Sequence, residues 1–490
     1  MTYFIRIIRN FLSTYLKKKY YIRFTVIFLI ALCFNIDNKT IITASFVYLI
    51  TTSIILRSLS KALIYSFLLF SLFSVGKTFE FILIPLSSLA YGHWIPGYQG
   101  YETFVILGPK FFIGLIMIIW FILSMVKGTI KLDKYSKVFL LYFFLSLISS
   151  IVSINFGLSI IYWFFVLPLL PLFCFLKREL MKDKNLISDL LKLFSVFVIY
   201  ETLWAFFQYI TKSSLFPSLV FFHNIALEGT DLSQSWFRPW GTFNHPNDLA
   251  NFLLPFTLIF FLYGYIKFIK EKNYLIMGFT FGLSGIIISL SRSSWVALFL
   301  TVLVSTVIFE KKYRLTFDRR YMKILIAATV IFLPLIVLFA VPRLQRSNLA
   351  FTEGGSGLFR INQLKESVNL ITKYPLFGVG QDMSVLGMFL ENPLGEMYYF
   401  PTPTHNMYLN LAEEIGLIPF LLFFSFLFIL LSPKIPSTIN NLLSHKIPGL
   451  IFFSATISIL LNGLVQPVYS STMLYLLIFA TIYNAYAKLS

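Results

Sequence analysis

The stretch SWFRPWGTFNHPNDLANFLLP, residues 235–255, passes from a polar, aromatic cluster directly into an apolar run. Pro246 has a fixed φ that suits the first turn of a helix, and Asp248 falls in that turn, where a negative charge is favourable. The residues that follow predict a helix that begins at a membrane surface and continues into the bilayer. Apolar runs of comparable length recur along almost the whole chain.

The composition describes a membrane protein. The chain has 490 residues, of which 58% are hydrophobic and 12% are charged, and its mean hydropathy is +0.80. Runs of about 15 to 25 apolar residues are long enough to cross a bilayer as helices. We therefore expect an all-α polytopic membrane protein. Cys33 and Cys174 both lie inside such runs, so neither a disulfide framework nor a cysteine metal site is indicated.

The net charge of +19 would suit a nucleic-acid partner, but its distribution argues against one. The cations stand in short blocks between apolar runs, as in 177–184 and 311–323. Such blocks mark the cytoplasmic loops of membrane proteins. The charge therefore sets the topology, and no nucleic-acid partner is expected.

This rule predicts about 14 transmembrane helices, within a range of about 12 to 14, and both termini inside. The predicted spans lie near 22–36, 40–57, 62–75, 103–127, 137–154, 157–176, 188–211, 249–267, 273–290, 293–309, 323–341, 415–432, 447–465 and 470–486. Residues 1–490 form one integral membrane domain, with extracytoplasmic loops at 212–248 and 342–414. Residues 76–102 are expected to make an outside excursion with an interfacial helix. The short link 289–293 falls on the same outer side.

The polar residues that suggest chemistry all fall on that outer side. In the opening stretch, Arg238, His245 and Asn247 surround a predicted helix start, which is a good site for an anion such as a lipid-linked phosphate. The alternative is an ordinary helix-start signature, with Trp236 and Trp240 in an interfacial aromatic belt.

The second stretch is LSRSSWVAL, residues 290–298, in which Arg292 sits between two apolar runs. An ionisable group at membrane depth is expensive and is usually paired or functional. The alternative is an arginine whose long side chain reaches the interface.

The third stretch is GLFRINQLKESVNLITKYPLFGVGQD, residues 357–382. A helical stripe formed by Ile361, Leu364, Val368 and Ile371 predicts a helix lying in the interface, with Arg360 on another face. A solvated cation is the alternative reading of Arg360.

The fourth stretch is PTPTHNMYLNLAEEIGLIPF, residues 401–420. It predicts a helix from about Asn406 to Gly416, which puts His405 at a helix start. His405 is either a base or a hydrogen-bonded structural residue. Glu413 or Glu414 is a candidate to orient it.

These four stretches, in this order, resemble the motifs of the bacterial O-antigen ligase and O-antigen polymerase superfamily. The likeness covers residues 235–420, and its most specific part is the Pro-Leu-x-Gly-Val-Gly turn followed by His-Asn and a helix that ends in Glu-x-Gly. Members of this superfamily resemble the multi-span glycosyltransferases of the C type, with a large extracytoplasmic loop that carries interfacial helices.

The resemblance implies a glycan donor carried on undecaprenyl pyrophosphate at the outer, periplasmic face of the bacterial cytoplasmic membrane. It implies transfer of that glycan to an acceptor sugar hydroxyl, with inversion. It assigns catalytic roles to Arg292, Arg360 and His405. The substrate-binding candidates are Arg238, His245, Asn247, Asn406 and Glu413.

The sequence contains neither an Asp-x-Asp pair for a divalent ion nor a glycine-rich loop followed by Lys-Ser/Thr. We therefore expect no metal site and no cofactor. We expect arginines to neutralise the charge of the leaving group instead. The expected partners are the lipid-linked donor, membrane lipid, and a glycan, a lipid A core or another acceptor. A chain-length regulator and a flippase are candidate protein partners.

Several alternatives stay open. A ligase and a polymerase differ in the acceptor, for which the sequence has no signature. A flippase or transporter of lipid-linked glycans would also have many spans, although transporters usually show internal repeats and charges at mid-span. A purely structural assembly protein would not need the four motifs together.

Overall fold

The computed structural model describes residues 21–33, 38–73, 77–80, 104–183, 185–213, 237–243, 245–265, 273–313, 356–393, 395, 402–432, 442–467 and 470–489. These residues form helices and one pair of short antiparallel strands. In chain order the elements are α1 Tyr21–Cys33, α2 Asn38–Leu56, α3 Leu59–Phe70, β1 Lys77–Glu80, β2 Phe104–Leu107, α4 Pro109–Val126, α5 Lys134–Ile151, α6 Phe156–Val166, α7 Leu169–Lys182, α8 Leu186–Thr211, α9 Pro246–Tyr265, α10 Asn273–Ile288, α11 Arg292–Tyr313, α12 Ser356–Lys373, α13 Ser384–Glu391, α14 Met407–Ile415, α15 Leu417–Leu431, α16 Leu442–Asn462 and α17 Ser470–Leu489.

The helices confirm a multi-pass α-helical membrane protein. Segments both long and apolar enough to cross a bilayer are Pro109–Val126, Lys134–Ile151, Phe156–Lys182, Leu186–Thr211 and Pro246–Gly264. Shorter apolar helices include Asn273–Ile288, Arg292–Ile308 and Leu417–Leu431. The total of about 14 spans stays a prediction. The predicted span 323–341, most of the loop 212–248 and the first part of the loop 342–414 lie outside the described residues.

The predicted span 103–127 is wrong at its beginning. Phe104–Leu107 is a strand that pairs with Lys77–Glu80, with Leu107 opposite Lys77. The helix starts only at Pro109, after the extended Gly108. A proline lacks the N–H that a first helical turn leaves unused, so it favours a start at this position. A short apolar run such as Phe-Val-Ile-Leu fits a strand as well as a helix.

Hydrogen bonds bring the four polar stretches to one end of the helices. Helix α8 has 26 residues and is about 39 Å long. Just before it begins, Asp183 forms an ion pair with Lys61 at 2.6 Å. Near its other end, Gln208 contacts the segment that leads into α9. The contacts among the four polar stretches lie at this second end, which we call the Thr211 end.

Helix α9 lies in the middle of the bundle. Within its span, 89% of the residues are buried inside the protein, compared with 33% for α4. It packs against α10 and α16, and Phe256 on α9 contacts Phe479 on α17. The polar residues that begin α9 therefore lie at the centre of the Thr211 end and not at its edge.

Candidate active site

The guanidinium of Arg238 ties the beginning of α9 to the turn between α10 and α11. Its Nε and Nη2 atoms each donate to the backbone oxygen of Ser289 at 3.1 Å. Nη2 also donates to Oδ1 of Asn247 at 2.9 Å. The backbone N–H of Asn247 in turn donates to Nδ1 of His245 at 3.0 Å. The three predicted residues of the first stretch thus form one connected group.

Helix α8 holds this segment through residues that sequence analysis missed. Gln208 accepts from the backbone N–H groups of Trp240 and Gly241 at 3.0 and 2.9 Å. Glu201 accepts from the N–H of Thr242 at 2.9 Å. Gly241 has a φ of +64°, which favours glycine, and a Cβ there would lie 2.4 Å from Oε2 of Glu201 and displace it. The available signal was a carboxylate in the middle of an apolar helix, which is rarely without a role.

Trp240 does not belong to an interfacial aromatic belt. Its side chain is 5% exposed and packs against Phe237. The aromatic residues of this stretch that the structure describes therefore point into the protein. Trp236, the other member of the predicted belt, lies outside the described residues.

His405 is held by Gln363 on helix α12. Oε1 of Gln363 lies 3.0 Å from the backbone nitrogen of His405 and 3.0 Å from its ring Nδ1. Nε2 of the same amide donates to the backbone oxygens of Thr402 and Pro403 at 2.7 and 3.0 Å. Gln363 is fully buried. It was not predicted as a site residue.

This arrangement selects one tautomer of His405. Because Nε2 of Gln363 faces two carbonyl oxygens, the amide cannot be turned around, and its Oε1 must face the histidine. An amide oxygen only accepts, so Nδ1 of His405 must carry the proton. The other ring nitrogen, Nε2, then has a free lone pair in the neutral ring.

Both histidines are neutral at ordinary pH. Burial, followed by the positive charge of Arg360, lowers the pKa of His405 to about 3. Burial and the charges of Arg238, His405 and Arg360 lower the pKa of His245 to about 3. Nδ1 of His245 accepts a hydrogen bond, so in its neutral ring Nε2 carries the proton. The two rings are complementary, since His245 offers a donor and His405 an acceptor.

Arg360 lies close enough to both rings to influence their titration. It precedes Gln363 by three residues on α12, and residues at this spacing share a helix face. The buried face of α12 carries Gln363, Ser367 and Leu370. The predicted apolar stripe points away from the protein, with Ile361 and Val368 42% and 50% exposed. The structure thus brings Arg360, His405, His245 and Arg238 together.

Arg292 begins helix α11 at the same end of the bundle and is half-buried. Arg238 reaches the backbone of Ser289, three residues earlier. Ser293 and Ser294, immediately after Arg292, accept hydrogen bonds from Gln466 and Asn462 at 2.6 and 3.3 Å. The role of Arg292 in binding a ligand on this side stays a prediction.

Asn406 and Glu413 make contacts within the protein. Asn406 caps α14: its Oδ1 accepts from the N–H groups of Tyr408 and Leu409 at 3.0 and 3.1 Å, and its Nδ2 donates to the oxygen of Leu464. Oε1 of Glu413 accepts from the Thr404 hydroxyl at 2.8 Å. Glu413 therefore supports the residue before His405 and does not contact the ring. Roles for both residues in substrate binding stay predictions.

The glycine turn of the third stretch packs on the end of α14. Val379 and Gly380 donate through their backbone nitrogens to the oxygens of Glu413 and Glu414 at 2.9 and 2.8 Å. A Cβ on Gly378, whose φ is +65°, would lie 2.4 Å from the oxygen of Glu414. Burial raises the pKa values of both carboxyl groups above the ordinary range. The turn and α14 form a rigid support for the loop that carries His405.

The described residues include no cluster of three or more His, Cys, Asp or Glu side chains arranged to hold a metal ion.

Comparison with known families agrees with the motifs. Residues 277–424 match the family model for O-antigen ligase. The match contains Arg292, Arg360 and His405, whereas Arg238, His245 and Asn247 precede it. No curated protein matches the chain. The match at residues 277–424 therefore supports the resemblance to the O-antigen ligase and O-antigen polymerase superfamily.

Proposed function

We propose that the chain transfers a glycan from undecaprenyl pyrophosphate to an acceptor sugar hydroxyl at the outer face of the bacterial cytoplasmic membrane. The family match supports glycan transfer in general. The observation that carries the specific proposal is the contact between Gln363 and His405. It leaves a neutral histidine with a free Nε2 lone pair beside the charge of Arg360.

His405 acts as the base in this proposal. The acceptor O–H bond breaks and its proton passes to Nε2 of His405, while the acceptor oxygen forms a new bond to the anomeric carbon. The bond between that carbon and the pyrophosphate oxygen breaks, and the polyprenyl pyrophosphate leaves with the electron pair. Attack from the side opposite the leaving group inverts the anomeric centre.

Arg360 and Arg292 bind the pyrophosphate. A guanidinium is always charged and can grip a phosphoryl group through two N–H donors, which stabilises the charge that grows on the leaving group. The bound anion also changes His405. Its negative charge offsets that of Arg360, so the pKa of His405 rises from about 3 towards its ordinary value and the ring becomes a better base.

Arg238, Asn247 and His245 form the rim of the donor site. Arg238 is committed to Ser289 and Asn247, so its charge is fixed in place beside the histidines. The Nε2–H group of His245 is a donor for a phosphate or sugar oxygen. In this proposal 1–490 is one membrane domain, with the loops 212–248 and 342–414 on the outer side.

The test uses the full-length protein, purified and reconstituted into proteoliposomes. The donor is the polyprenyl-linked glycan fraction extracted from the cells that make the protein, added from one side in the presence of EDTA. We expect longer or transferred glycans and released polyprenyl pyrophosphate. Arg360→Ala should abolish both, whereas Arg178→Ala, at the other end of the bundle, should not.

Product analysis decides between the alternatives. Step-wise longer lipid-linked glycans identify a polymerase, and glycans attached to a different acceptor identify a ligase. Movement of intact lipid-linked glycan across the bilayer without new glycosidic bonds would contradict the proposal and establish a transporter. Activity that is lost in EDTA and restored by a divalent ion would contradict its metal-independent part.

A further inference from the structure

A pocket opens at the Thr211 end, between α9, α16 and the beginning of α17. It is open on one side, and its empty space, including the part open to solvent, is about 320 Å³. The polar residues that line it are Asn251, Asn462, Gln466, Thr472 and Tyr475. We call it the α9–α16 pocket.

The lining is polar but uncharged. Amide and hydroxyl groups from three helices face it, together with the apolar side chains of Leu254 and Ile459, and none of the described lining residues is ionised at neutral pH. A pyrophosphate would lack a counter-charge there, because buried anions need cations or several N–H donors. A neutral molecule with many hydroxyl groups matches this set of donors and acceptors.

One amide atom in the lining lacks a partner. Asn462 is 3% exposed, and its Nδ2 donates to Oδ1 of Asn251 and to the hydroxyl of Ser294. Its Oδ1 has no hydrogen-bond partner among the described residues. Exchanging oxygen and nitrogen would leave the nitrogen unpaired instead, so either assignment leaves an unsatisfied atom in this lining. Such an atom costs free energy unless a ligand or water pairs with it.

Hydrogen bonds link the pocket lining to the segments that carry the catalytic candidates. The backbone oxygen of Gly463, in the lining, accepts from the N–H of Met407 at 2.7 Å. His405 stands two residues before Met407, so their Cα atoms are at most about 7.6 Å apart. On another side, Gln466 and Asn462 donate to Ser293 and Ser294, which follow Arg292. The lining therefore contacts the two chain segments that carry the proposed base and one of the proposed pyrophosphate-binding arginines.

We propose that the α9–α16 pocket binds hydroxyl groups of the acceptor glycan and so presents the attacking hydroxyl to His405. This inference rests on the proposed function and adds a place for the second substrate. It separates the two substrates by chemistry, since the arginines take the charged donor and the amides take the neutral edge of the acceptor sugar. Residues 462–475 lie beyond the matched family domain, so the acceptor site would depend on a part of the chain outside it.

The test varies acceptor and donor concentrations independently in the reconstituted transfer assay. Asn462→Leu removes the amide whose Oδ1 has no partner among the described residues. Thr472→Val removes one hydroxyl with almost no change in shape. We expect the KM for the acceptor to rise about tenfold in Asn462→Leu and about threefold in Thr472→Val, with the donor KM within about twofold of wild type. The matched control is Asn484→Leu, which removes a buried amide on α17 that donates to the backbone oxygen of Leu430 and does not line the pocket.

A binding measurement separates failure of this inference from failure of the proposed function. The probe is the lipid-free oligosaccharide that mild acid releases from the same lipid-linked fraction, observed by saturation-transfer NMR with the reconstituted protein. Weaker binding in both pocket variants and unchanged binding in Asn484→Leu support the pocket even if no transfer occurs. Unchanged acceptor KM and unchanged binding in Asn462→Leu and Thr472→Val would overturn the inference while transfer itself stands. Wild type that binds no oligosaccharide would also overturn it.

Discussion

Oε1 of Gln363 lies 3.0 Å from both the backbone nitrogen and the ring Nδ1 of His405. This one amide sets the position of the loop, the orientation of the ring and the location of its proton. Glutamate and aspartate often do this for catalytic histidines, but a carboxylate would also raise the pKa of the ring. A neutral amide orients His405 without making it cationic beside Arg360.

Replacing Gln363 tests its role as a positioning residue. We expect Gln363→Leu to lower kcat about 10- to 100-fold, because the ring and the loop lose their shared acceptor. Gln363→Glu should keep an acceptor for Nδ1, while its negative charge raises the pKa of His405. As the pH is lowered, Gln363→Glu should therefore lose activity at a higher pH than wild type does. If kcat falls equally in both variants and the acid side of the profile of kcat against pH does not move, Gln363 contributes only packing.

The histidines predict how stability depends on acid. In the folded chain the pKa values of His405 and His245 are about 3, below the ordinary value of 6.5. Between pH 3 and 6.5 the unfolded chain binds more protons than the folded chain. The contribution of the two histidines to the free energy of unfolding is therefore complete above pH 6.5 and falls as the pH drops towards 3. Each histidine contributes a slope of at most about 1.4 kcal/mol per pH unit. The free energy of unfolding in detergent, plotted against pH from 7 to 4, should have a shallower slope in His245→Gln than in wild type. An unchanged slope would contradict the lowered pKa of His245.

For Glu413 we expect the opposite dependence of stability on pH. Burial raises its pKa from 4.5 to about 7, so in this window the folded chain holds a proton that the unfolded chain has lost. Its contribution to stability is present below pH 4.5 and is lost as the pH rises through 7. Glu413→Gln keeps an oxygen for Thr404 and Asn410, and should flatten the decline in unfolding free energy between pH 5 and 8. A decline as steep as in wild type would show that other groups cause it.

The glycine turn offers a matched pair of substitutions. Gly378 and Gly128 have nearly the same φ, +65° and +66°, but a Cβ on Gly378 would meet backbone atoms of Glu413 and Glu414 within 2.6 Å, and one on Gly128 would meet nothing within 4 Å. We expect Gly128→Ala to cost about 1 kcal/mol of unfolding free energy from its backbone conformation alone. Gly378→Ala should cost about 2 kcal/mol more and also reduce transfer, because the turn supports the His405 loop. Equal costs at the two positions would mean that the turn can move away from α14.

Local patterns predicted much of this arrangement. The start of α9 at Pro246 and the beginning of α14 close to Asn406 follow from residues adjacent in the chain, and both were predicted near these positions. The alternation of basic blocks with apolar runs placed the polar stretches on one side, and the described hydrogen bonds bring them to one end. The motifs singled out His405 and Arg360, which the structure brings together.

Contacts between distant parts of the chain were not predictable in the same way. Gln363 looks like any polar residue on an amphipathic helix until the loop containing His405, about 40 residues later, folds against it. Gln208 and Glu201 have the same character, because their partners lie beyond a long loop. The strand Phe104–Leu107 was missed because its partner, Lys77–Glu80, is also distant and four apolar residues carry no periodicity of their own.

The role of His405 as the base is tested most directly by the amount and the rate of glycosidic-bond formation in a single turnover of the lipid-linked donor. Wild type, His405→Ala and His445→Ala are compared. His445 lies in the first turn of α16, about 26 Å along the helix from Asn462, and serves as the matched control. We predict one new bond for each polyprenyl pyrophosphate released by wild type and by His445→Ala, and a rate at least about 100-fold lower in His405→Ala. Bond formation by His405→Ala at the wild-type rate would contradict the claim that His405 is the base.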